Sequence, residues 1–242
     1  MAEFTMAIAG HDLAVRSLFA STEHYCARYP AVGKAEVMLT ITPEELARQQ
    51  EALRAEALAE GLKPRQFTDP FLERAVLQEK VAAYLRPFGV LLLHGSTVAV
   101  DGKAYLFTAK CGTGKSTHTR LWRQVFGSRA VMVNDDKPFL RIGSRGTVAC
   151  GAPWSGKHGL DTNLEAPLAG ICLLERGTDN RIAPLAPGEA LPFLLTQACS
   201  PDARPLVELL TETVSLWRME CTRDPRAAET AYQAMHAGYW EL

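Results

Sequence analysis

The sequence predicts an α/β protein whose core is a mixed sheet, with a small α+β layer before it. A glycine-rich loop at 109–117 stands between an apolar strand pattern and a helical pattern. Short strand patterns surround this junction, and the near-continuous apolar run at 168–177 is typical of a central strand. Residues 1–88 have a different pattern of predicted elements, since they combine a few short strands with two long helices. We therefore predict two domains, 1–88 and 89–242.

The first domain begins with two short strands at 4–19, around the turn signal Gly10-His11-Asp12. A helix should follow the strand candidate at 36–41, because Thr42 is a good N-cap and Pro43 suits the first helical position. Gly61 marks the end of that helix. A second helix is expected over 69–89, with Asp69 as its cap.

The second domain alternates strands and helices. Residues 90–109 alternate in the manner of a hairpin, with Asp101-Gly102 as its tight turn. The helix after the glycine loop should run to about Phe126. The other predicted elements are strands at 130–135, 138–143, 147–151 and 168–177, and helices at 187–198, 203–219 and 224–240.

Composition and charge exclude several classes of partner. The formal net charge is -1 and the chain has no block of like charges, so we expect no nucleic-acid or membrane partner. No apolar run reaches the roughly 18 residues that a membrane helix needs, and the first residues lack a leader pattern. The six cysteines are scattered without a CxxC pair, which indicates reduced thiols. We expect a cytoplasmic protein.

The glycine loop has the residue types of a phosphate-binding loop. A helix begins with unpaired N–H groups and a partial positive charge, and glycines before it let the backbone curl around an anion. A lysine can then reach a terminal phosphate, and a hydroxyl can bind magnesium. The standard first glycine is replaced by Ala109. The predicted nucleotide-binding residues are Cys111, Gly112, Thr113, Gly114, Lys115, Ser116 and Thr117.

Two adjacent aspartates, Asp135 and Asp136, lie at the end of the strand predicted at 130–135, which comes after the glycine loop and its helix. Carboxylates are costly to bury without partners, so beside a phosphate loop they suit an active site. One can hold magnesium while the other accepts a proton from an attacking hydroxyl. The spacing does not assign the two roles. We favour Asp135 as the base, and Asp136 with Ser116 as the metal ligands.

Other polar residues near these motifs are weaker candidates. His94 ends an apolar strand and is either structural or a hydrogen-bond partner that tunes an aspartate. Lys157 lies in a Gly- and Pro-rich loop at 151–163 and either supplies charge to the reaction or is simply solvated. Trp154 is either a packing residue or a substrate wall. Arg120 and Arg123, on the helix after the loop, are either solvated or structural residues or contacts of the nucleotide. Arg176 either ends a strand or touches nucleotide, and the weaker candidates are His158, Glu165 and Glu175.

The combination of these motifs resembles the HPr kinase/phosphorylase family, which shares a phosphate-loop core with ATP-dependent phosphoenolpyruvate carboxykinases. The resemblance covers about residues 88–177 and depends on "HGS", "AKCGTGKST", "VNDDKPFL" and "PWSGK". It implies that Lys115 and the loop bind ATP, that Asp135 and Asp136 divide base and metal roles with Mg²⁺, and that His94 supports an aspartate. It also implies a homo-oligomer.

One departure from the family concerns its Glu-Ile-Arg-Gly segment, whose place "PWSGKHG" takes. The resemblance therefore implies an ATP-dependent kinase with its own acceptor, which is a hydroxyl on a small molecule, peptide or protein. Two alternatives are a nucleotide-hydrolysing switch and a nucleotide-binding module without phosphotransfer. The aspartate pair favours the kinase, because a hydroxyl acceptor benefits from a second carboxylate as base.

Overall fold

The computed structural model describes residues 1–59, 61–200 and 202–238, and these divide into two compact units, Met1–Leu85 and Arg86–Leu242. The predicted boundary at residue 88 lies a few residues after this division. The last two residues of the predicted C-terminal helix, Tyr239 and Trp240, and Glu60 at the end of an earlier predicted helix lie outside the described residues.

The first unit pairs a three-stranded sheet with three helices. Its strands are β1 (Ala2–Ile8), β2 (His11–Ser17) and β3 (Val37–Thr40), and its helices are α1 (Ala20–Cys26), α2 (Pro43–Ala59) and α3 (Asp69–Leu85). β1 and β2 form the predicted hairpin, whose turn residues Ala9 and Gly10 both have positive φ, and β3 pairs with β2 in parallel.

A buried carboxylate fixes the first helix of this unit, which the sequence did not reveal. Glu73 of α3 is fully buried and accepts hydrogen bonds from the Leu18 and Phe19 N–H groups and from the Thr22 hydroxyl. These donors surround the start of α1, so both oxygens of the buried carboxylate are hydrogen-bonded there. The buried acid is therefore a structural residue.

The second unit is built on a mixed sheet. Its strands are β4 (Val90–Leu92), β5 (Ser96–Val100), β6 (Lys103–Thr108), β7 (Ala130–Asn134), β8 (Phe139–Gly143), β9 (Gly146–Cys150), β10 (Glu165–Arg176), β11 (Arg181–Pro184) and β12 (Leu216–Cys221). Its helices are α4 (Lys115–Phe126), α5 (Pro187–Gln197), α6 (Arg204–Thr213) and α7 (Arg226–Gly238).

The long strand β10 is the centre of this sheet. Its first residues pair antiparallel with β9, and its later residues pair in parallel with β6 on one side and β12 on the other. The strand order is β4-β8-β9-β10-β6-β5-β7, with β12 and β11 continuing from β10. The fold class predicted from the sequence, α/β with a mixed sheet and a smaller α+β part before it, is confirmed.

Helices cover both faces of the sheet, which gives two hydrophobic clusters. α4 and α7 pack on one face around the fully buried side chains of Tyr105, Phe107 and Trp122. α5 and α6 pack on the other face around residues such as Leu106 and Leu140. The parallel strands β6, β10 and β12 end at one edge of the sheet, where α/β proteins usually bind ligands.

The structure corrects one predicted helix in this unit. The helix expected over 203–219 ends at Thr213, and the chain returns as strand β12 from Leu216. The predicted hairpin at 90–109 is confirmed for β5 and β6, with Asp101 and Gly102 both at positive φ, whereas β4 pairs with β8.

Candidate active site

The glycine loop lies between β6 and α4 at the edge where the parallel strands end. Gly112 has φ +74° and Gly114 has φ +126°, values that side-chain-bearing residues rarely adopt. Gly114 is the N-cap of α4 and no side chain caps this helix. The first amides of α4 therefore keep their capacity to bind an anion. Ala109, at the place of the standard first glycine, is not among the described residues with positive φ, so its β-carbon causes no backbone strain there.

Lys115 is the first residue of α4 and is half-buried. Its ammonium donates a hydrogen bond to the Ala109 carbonyl oxygen at 3.2 Å, so the side chain lies back along the loop. Burial lowers the pKa of Lys115, while the charges of Cys111 and Asp136 oppose this shift. The lysine thus brings a positive charge into partly desolvated surroundings, where its attraction for an anion is stronger than in water.

Arg176 fixes the loop from outside, a role that the sequence did not reveal. Its guanidinium, at the end of β10, donates to the Gly112 carbonyl oxygen at 2.6 Å. The two residues are far apart in the chain and meet because β10 pairs with β6, the strand that enters the loop. Within the loop, the Thr113 N–H donates to the Lys110 carbonyl oxygen at 3.2 Å, so the donors that remain for an anion are the first amides of α4.

The aspartate pair follows β7 and is held by Asn134. The side-chain oxygen Oδ1 of Asn134 accepts hydrogen bonds from the backbone N–H groups of Asp136 at 2.9 Å and Lys137 at 2.7 Å. Its amide group donates to the carbonyl oxygens of Ala152 and Trp154 at 2.9 and 3.2 Å. This fully buried side chain therefore ties the aspartates to the loop at 151–161. An Asn-Asp pair at a strand end is a common turn signal, but its second set of partners is not visible in sequence.

Asp135 is 3% exposed, and its two carboxylate oxygens have different surroundings. Oδ1 accepts the Gly156 N–H at 2.7 Å, whereas Oδ2 is buried without a hydrogen-bond partner among the described residues. Burial raises the pKa of Asp135, and the charge of Asp136 raises it further against the lowering effect of the Gly156 amide. A buried carboxylate oxygen without a partner is costly and suits a proton or a ligand.

Asp136 is more exposed and faces His94. The distance between His94 Nε2 and Asp136 Oδ1 is 3.5 Å. Burial and the neighbouring charge of Lys115 lower the pKa of His94, although Asp136 opposes the shift. The imidazole is therefore neutral at pH 7 and can orient the carboxylate without neutralising it. The structure thus places the predicted histidine beside Asp136.

The loop at 151–161 approaches the aspartates closely. A β-carbon on Gly156 would lie 3.3 Å from Asp136 Cβ, so a glycine suits this contact. The Ser155 hydroxyl donates to Asp161 Oδ1 at 2.7 Å and closes the loop on itself. Trp154 is buried and meets Phe139 edge-on with ring centroids 6.1 Å apart, which makes it a packing residue.

Most of the predicted site residues line a single cavity of about 820 Å³. One wall is the glycine loop with α4, and the other is the aspartate pair with the loop at 151–161. Thr113 lines an adjacent cavity of about 340 Å³ together with Arg176, Thr222 and Arg223. The large cavity is lined by His94, Cys111, Gly112, Gly114, Lys115, Ser116, Thr117, Arg120, Arg123, Asp135, Asp136, Gly156, Lys157, His158 and Leu160.

The cavity fits magnesium held jointly with phosphate. Within the described part of the chain, no cluster of three or more His, Cys, Asp or Glu side chains could hold a metal by itself. Magnesium at phosphate sites commonly takes only one or two protein carboxylates and completes its shell with water and phosphate oxygens. Ser116 and Asp136 line one cavity and offer such a partial shell, while the unpartnered Oδ2 of Asp135 stays available for a proton.

Comparisons with known proteins add little to this geometry. No family model and no curated protein matches the chain. Among solved structures, it is similar to the Hpr(Ser) kinase/phosphatase from Coxiella burnetii, with 9% sequence identity and a TM-score of 0.38, over 62% of this chain and 99% of that one. A likeness of this degree supports no conclusion about activity. No helix among residues 1–59, 61–200 and 202–238 has the length and apolar character needed to cross a bilayer.

Proposed function

We propose that this protein is an ATP- and Mg²⁺-dependent kinase that transfers the γ-phosphoryl group to a hydroxyl of a small molecule, peptide or protein. The observation that carries the proposal is the pairing, across one cavity, of a glycine loop and lysine with a buried aspartate whose Oδ2 has no partner in the described structure. An anion-binding loop alone would suit any nucleotide-binding protein. The buried carboxylate opposite it suits chemistry on a hydroxyl.

The first wall of the cavity would bind the nucleotide. The first amides of α4, after Gly114, and the ammonium of Lys115 would hold the β- and γ-phosphates. Ser116 and Asp136 would hold magnesium, which supplies neutralisation of phosphate charge when bound. His94 would orient Asp136, and Lys157 would place a further positive charge in the cavity.

The second wall would activate the acceptor. Asp135 Oδ2 would accept the hydroxyl proton as the acceptor oxygen forms a bond to the γ-phosphorus. The bond from that phosphorus to the β–γ bridging oxygen breaks, and ADP leaves with its electron pair. The Gly156 N–H holds the other oxygen of Asp135, so the carboxylate keeps one orientation while Oδ2 takes the proton.

The resemblance of the motifs to the HPr kinase/phosphorylase family agrees with this proposal. We infer a kinase of that general type with an acceptor of its own, because "PWSGKHG" replaces the family's Glu-Ile-Arg-Gly segment. The absence of a membrane-crossing helix from the described residues is compatible with the cytoplasmic location that we propose.

The proposal is tested by nucleotide turnover in the presence and absence of hydroxyl compounds. The purified protein with ATP and Mg²⁺ should release ADP slowly alone and faster with its acceptor, and mass spectrometry should detect the gain of one phosphoryl group on that compound. Fast ADP release without any acceptor would identify a hydrolysing switch. Nucleotide binding without any turnover in a broad metabolite and peptide extract would identify a binding module.

A second test concerns nucleotide binding itself. Lys115→Ala should remove the thermal stabilisation that ATP and Mg²⁺ give the protein, because it deletes the positive charge beside the phosphates. Lys110→Ala is a matched control, since this exposed lysine lies at the start of the loop and does not line the cavity. An unchanged ATP-induced rise in Tm for Lys115→Ala would contradict the role of the loop.

A further inference from the structure

The face of α4 that carries Ser116 continues with two arginines. Ser116, Arg120 and Arg123 are spaced i, i+4 and i+7, which puts them on one side of the helix. All three line the large cavity. Trp122, at a different angle around the helix axis, is fully buried in the core instead. The helix therefore presents a basic stripe to the same space that Asp135 faces.

These arginines have no ionic partner in the described structure. The side chains of Arg120 and Arg123 form no hydrogen bond or ion pair with the residues at 1–59, 61–200 or 202–238, and the same holds for the Lys157 side chain on the opposite wall. Several other arginines of the second unit do have acidic partners. Arg141 meets Glu165 at 2.6 Å, and Arg204 meets Glu208 at 3.0 Å. Arg120, Arg123 and Lys157 thus place three unpaired cations around the space where a ligand would bind.

The distance along α4 separates the arginines from the phosphate loop. With a rise of about 1.5 Å per residue, Arg120 and Arg123 lie about 7.5 and 12 Å along the helix axis from Lys115. The loop amides and Lys115 already supply the donors for a triphosphate at the helix start. The arginine stripe, and Arg123 most of all, is therefore better placed for a second molecule in the cavity.

We propose that the phosphoryl acceptor carries an oxyanion, a carboxylate or a phosphate, in addition to its hydroxyl, and that Arg120 and Arg123 bind this group. The inference rests on the proposed kinase function and specifies its substrate class. Guanidinium groups bind carboxylates and phosphates through paired, charge-assisted hydrogen bonds. Anchoring the oxyanion on α4 would leave the hydroxyl free to face Asp135 on the other wall. Lys157 would add to the positive potential from the loop at 151–161.

The experiment compares three probes that share a three-carbon polyol skeleton. Glycerate carries a carboxylate, glycerol 3-phosphate carries a phosphate, and glycerol carries no charge. Each is titrated by calorimetry into the full-length protein with Mg²⁺ and a non-hydrolysable ATP analogue. At least one anion should bind about tenfold more tightly than glycerol, equivalent to about 1.4 kcal/mol. The better anion identifies carboxylate or phosphate as the group recognised. Equal binding of all three, or binding of none, overturns the proposal.

Variants then assign the anion preference to α4. Arg120→Gln and Arg123→Gln should each weaken binding of the preferred anion by about tenfold to a hundredfold, a typical loss for a charged hydrogen bond. The Kd of the ATP analogue should stay within about twofold of the original protein. Arg145→Gln is the matched control, because this exposed arginine lies at the β8–β9 turn outside the cavity. Thermal denaturation of each variant verifies folding.

The outcomes separate this inference from the function on which it rests. If the two variants weaken the ATP analogue as much as the anion, the arginines belong to the triphosphate site and the inference is wrong while the kinase remains. If the unmodified protein does not bind the ATP analogue at all, the proposed function itself fails. Unchanged anion binding in both variants overturns the assignment to Arg120 and Arg123.

Discussion

Asp135 and Asp136 are neighbours in the chain with different surroundings. Asp135 is buried against Gly156, and Asp136 is partly open and faces His94. Two nearby carboxyl groups in such unequal environments suit different roles, which is how proteins divide the work of a pair. The buried member, with a raised pKa, suits proton transfer, and the open member suits a hydrated metal ion.

Asp135→Asn tests this division. The amide keeps an oxygen for the Gly156 N–H and removes the proton acceptor, so the fold and nucleotide binding should persist. Phosphoryl transfer should fall by about 10²- to 10⁴-fold, the usual contribution of a general base. Rates of product formation and the Kd of ATP measure the two effects separately.

Asp136→Asn is the matched comparison for that substitution. It should weaken the dependence of nucleotide binding on Mg²⁺, because it removes a proposed metal ligand. If Asp135→Asn keeps transfer within a few-fold of the original rate while Asp136→Asn abolishes it, the two roles have been assigned the wrong way round.

His118 gives the protein a pH-dependent stability. It is 2% exposed on α4, its Nε2 accepts the Trp122 indole N–H at 3.1 Å, and burial lowers its pKa to about 3. The unfolded chain binds a proton near the ordinary value of 6.5, so it binds more protons than the folded protein between these values. The free energy of unfolding should therefore fall as pH decreases, by about 2 kcal/mol from this group between pH 7 and pH 5.

Urea unfolding of the nucleotide-free protein at the two pH values measures this loss. His118→Gln keeps an acceptor for the Trp122 indole and removes the titration, so it should reduce the pH dependence markedly. His94, whose pKa is also lowered by burial, contributes in the same direction and would account for a smaller slope that remains. A slope unchanged by His118→Gln would contradict the assignment.

At the scale of elements, turn and cap signals located several boundaries, although Asp69, the predicted cap of α3, is the first residue of that helix. Pro43 begins α2 as predicted, and Asp101-Gly102 forms the predicted turn between β5 and β6. The segment 203–219 was wrongly predicted as one helix because the short apolar run after Thr213 suits either a helix or a strand. Its parallel pairing with β10 decides the outcome, and that partner is distant in sequence.

The candidate site likewise has features that a local sequence signal reveals and others that depend on residues distant in the chain. The glycine loop and the aspartate pair are contiguous motifs, and the structure brings them to one cavity. Asn134 and Arg176 were not predicted as positioning residues because their partners, the Trp154 and Gly112 carbonyl oxygens, come from other segments. Arg120 and Arg123 were only weak candidates in the sequence, because their place in the cavity and their lack of acidic partners in the described structure depend on the fold.

Gly151→Ala tests how the loop at 151–161 is held against β7. A β-carbon on Gly151 would lie 1.8 Å from the Thr162 carbonyl oxygen, so the two backbone segments must separate. Overpacking of this kind costs about 1–3 kcal/mol or more, and urea unfolding should show this loss. Because the loop supplies the Gly156 N–H to Asp135, phosphoryl transfer should fall as well.

Gly188→Ala is the matched control for the same added methyl group. Gly188 lies in the first turn of α5, and a β-carbon there meets no atom within 4 Å. Alanine favours a helix over glycine by up to about 1 kcal/mol, so stability should stay level or rise. Equal effects of the two substitutions would show that the close approach of Gly151 to Thr162 is unimportant.

At the scale of the whole molecule, the candidate site belongs to one unit. Every residue that lines the large cavity lies within Arg86–Leu242, and so do both hydrophobic clusters that pack the faces of its sheet. The first unit has its own sheet and its own buried residues, such as Met6, Leu13 and Leu77. The chemistry proposed for the cavity therefore needs no side chain from the first unit.

A protein that consists of residues 86–242 should consequently fold and bind nucleotide. Its length is within the usual range of a domain, and its core is complete without the first unit. Circular dichroism should show cooperative unfolding, and ATP with Mg²⁺ should raise the Tm by nearly as much as in the full chain. A cooperative fold that fails to bind ATP would mean that the first unit contributes to the nucleotide site. If binding persists but acceptor-stimulated turnover is lost, the first unit takes part in presenting the acceptor, and the arginine stripe is then only part of acceptor recognition.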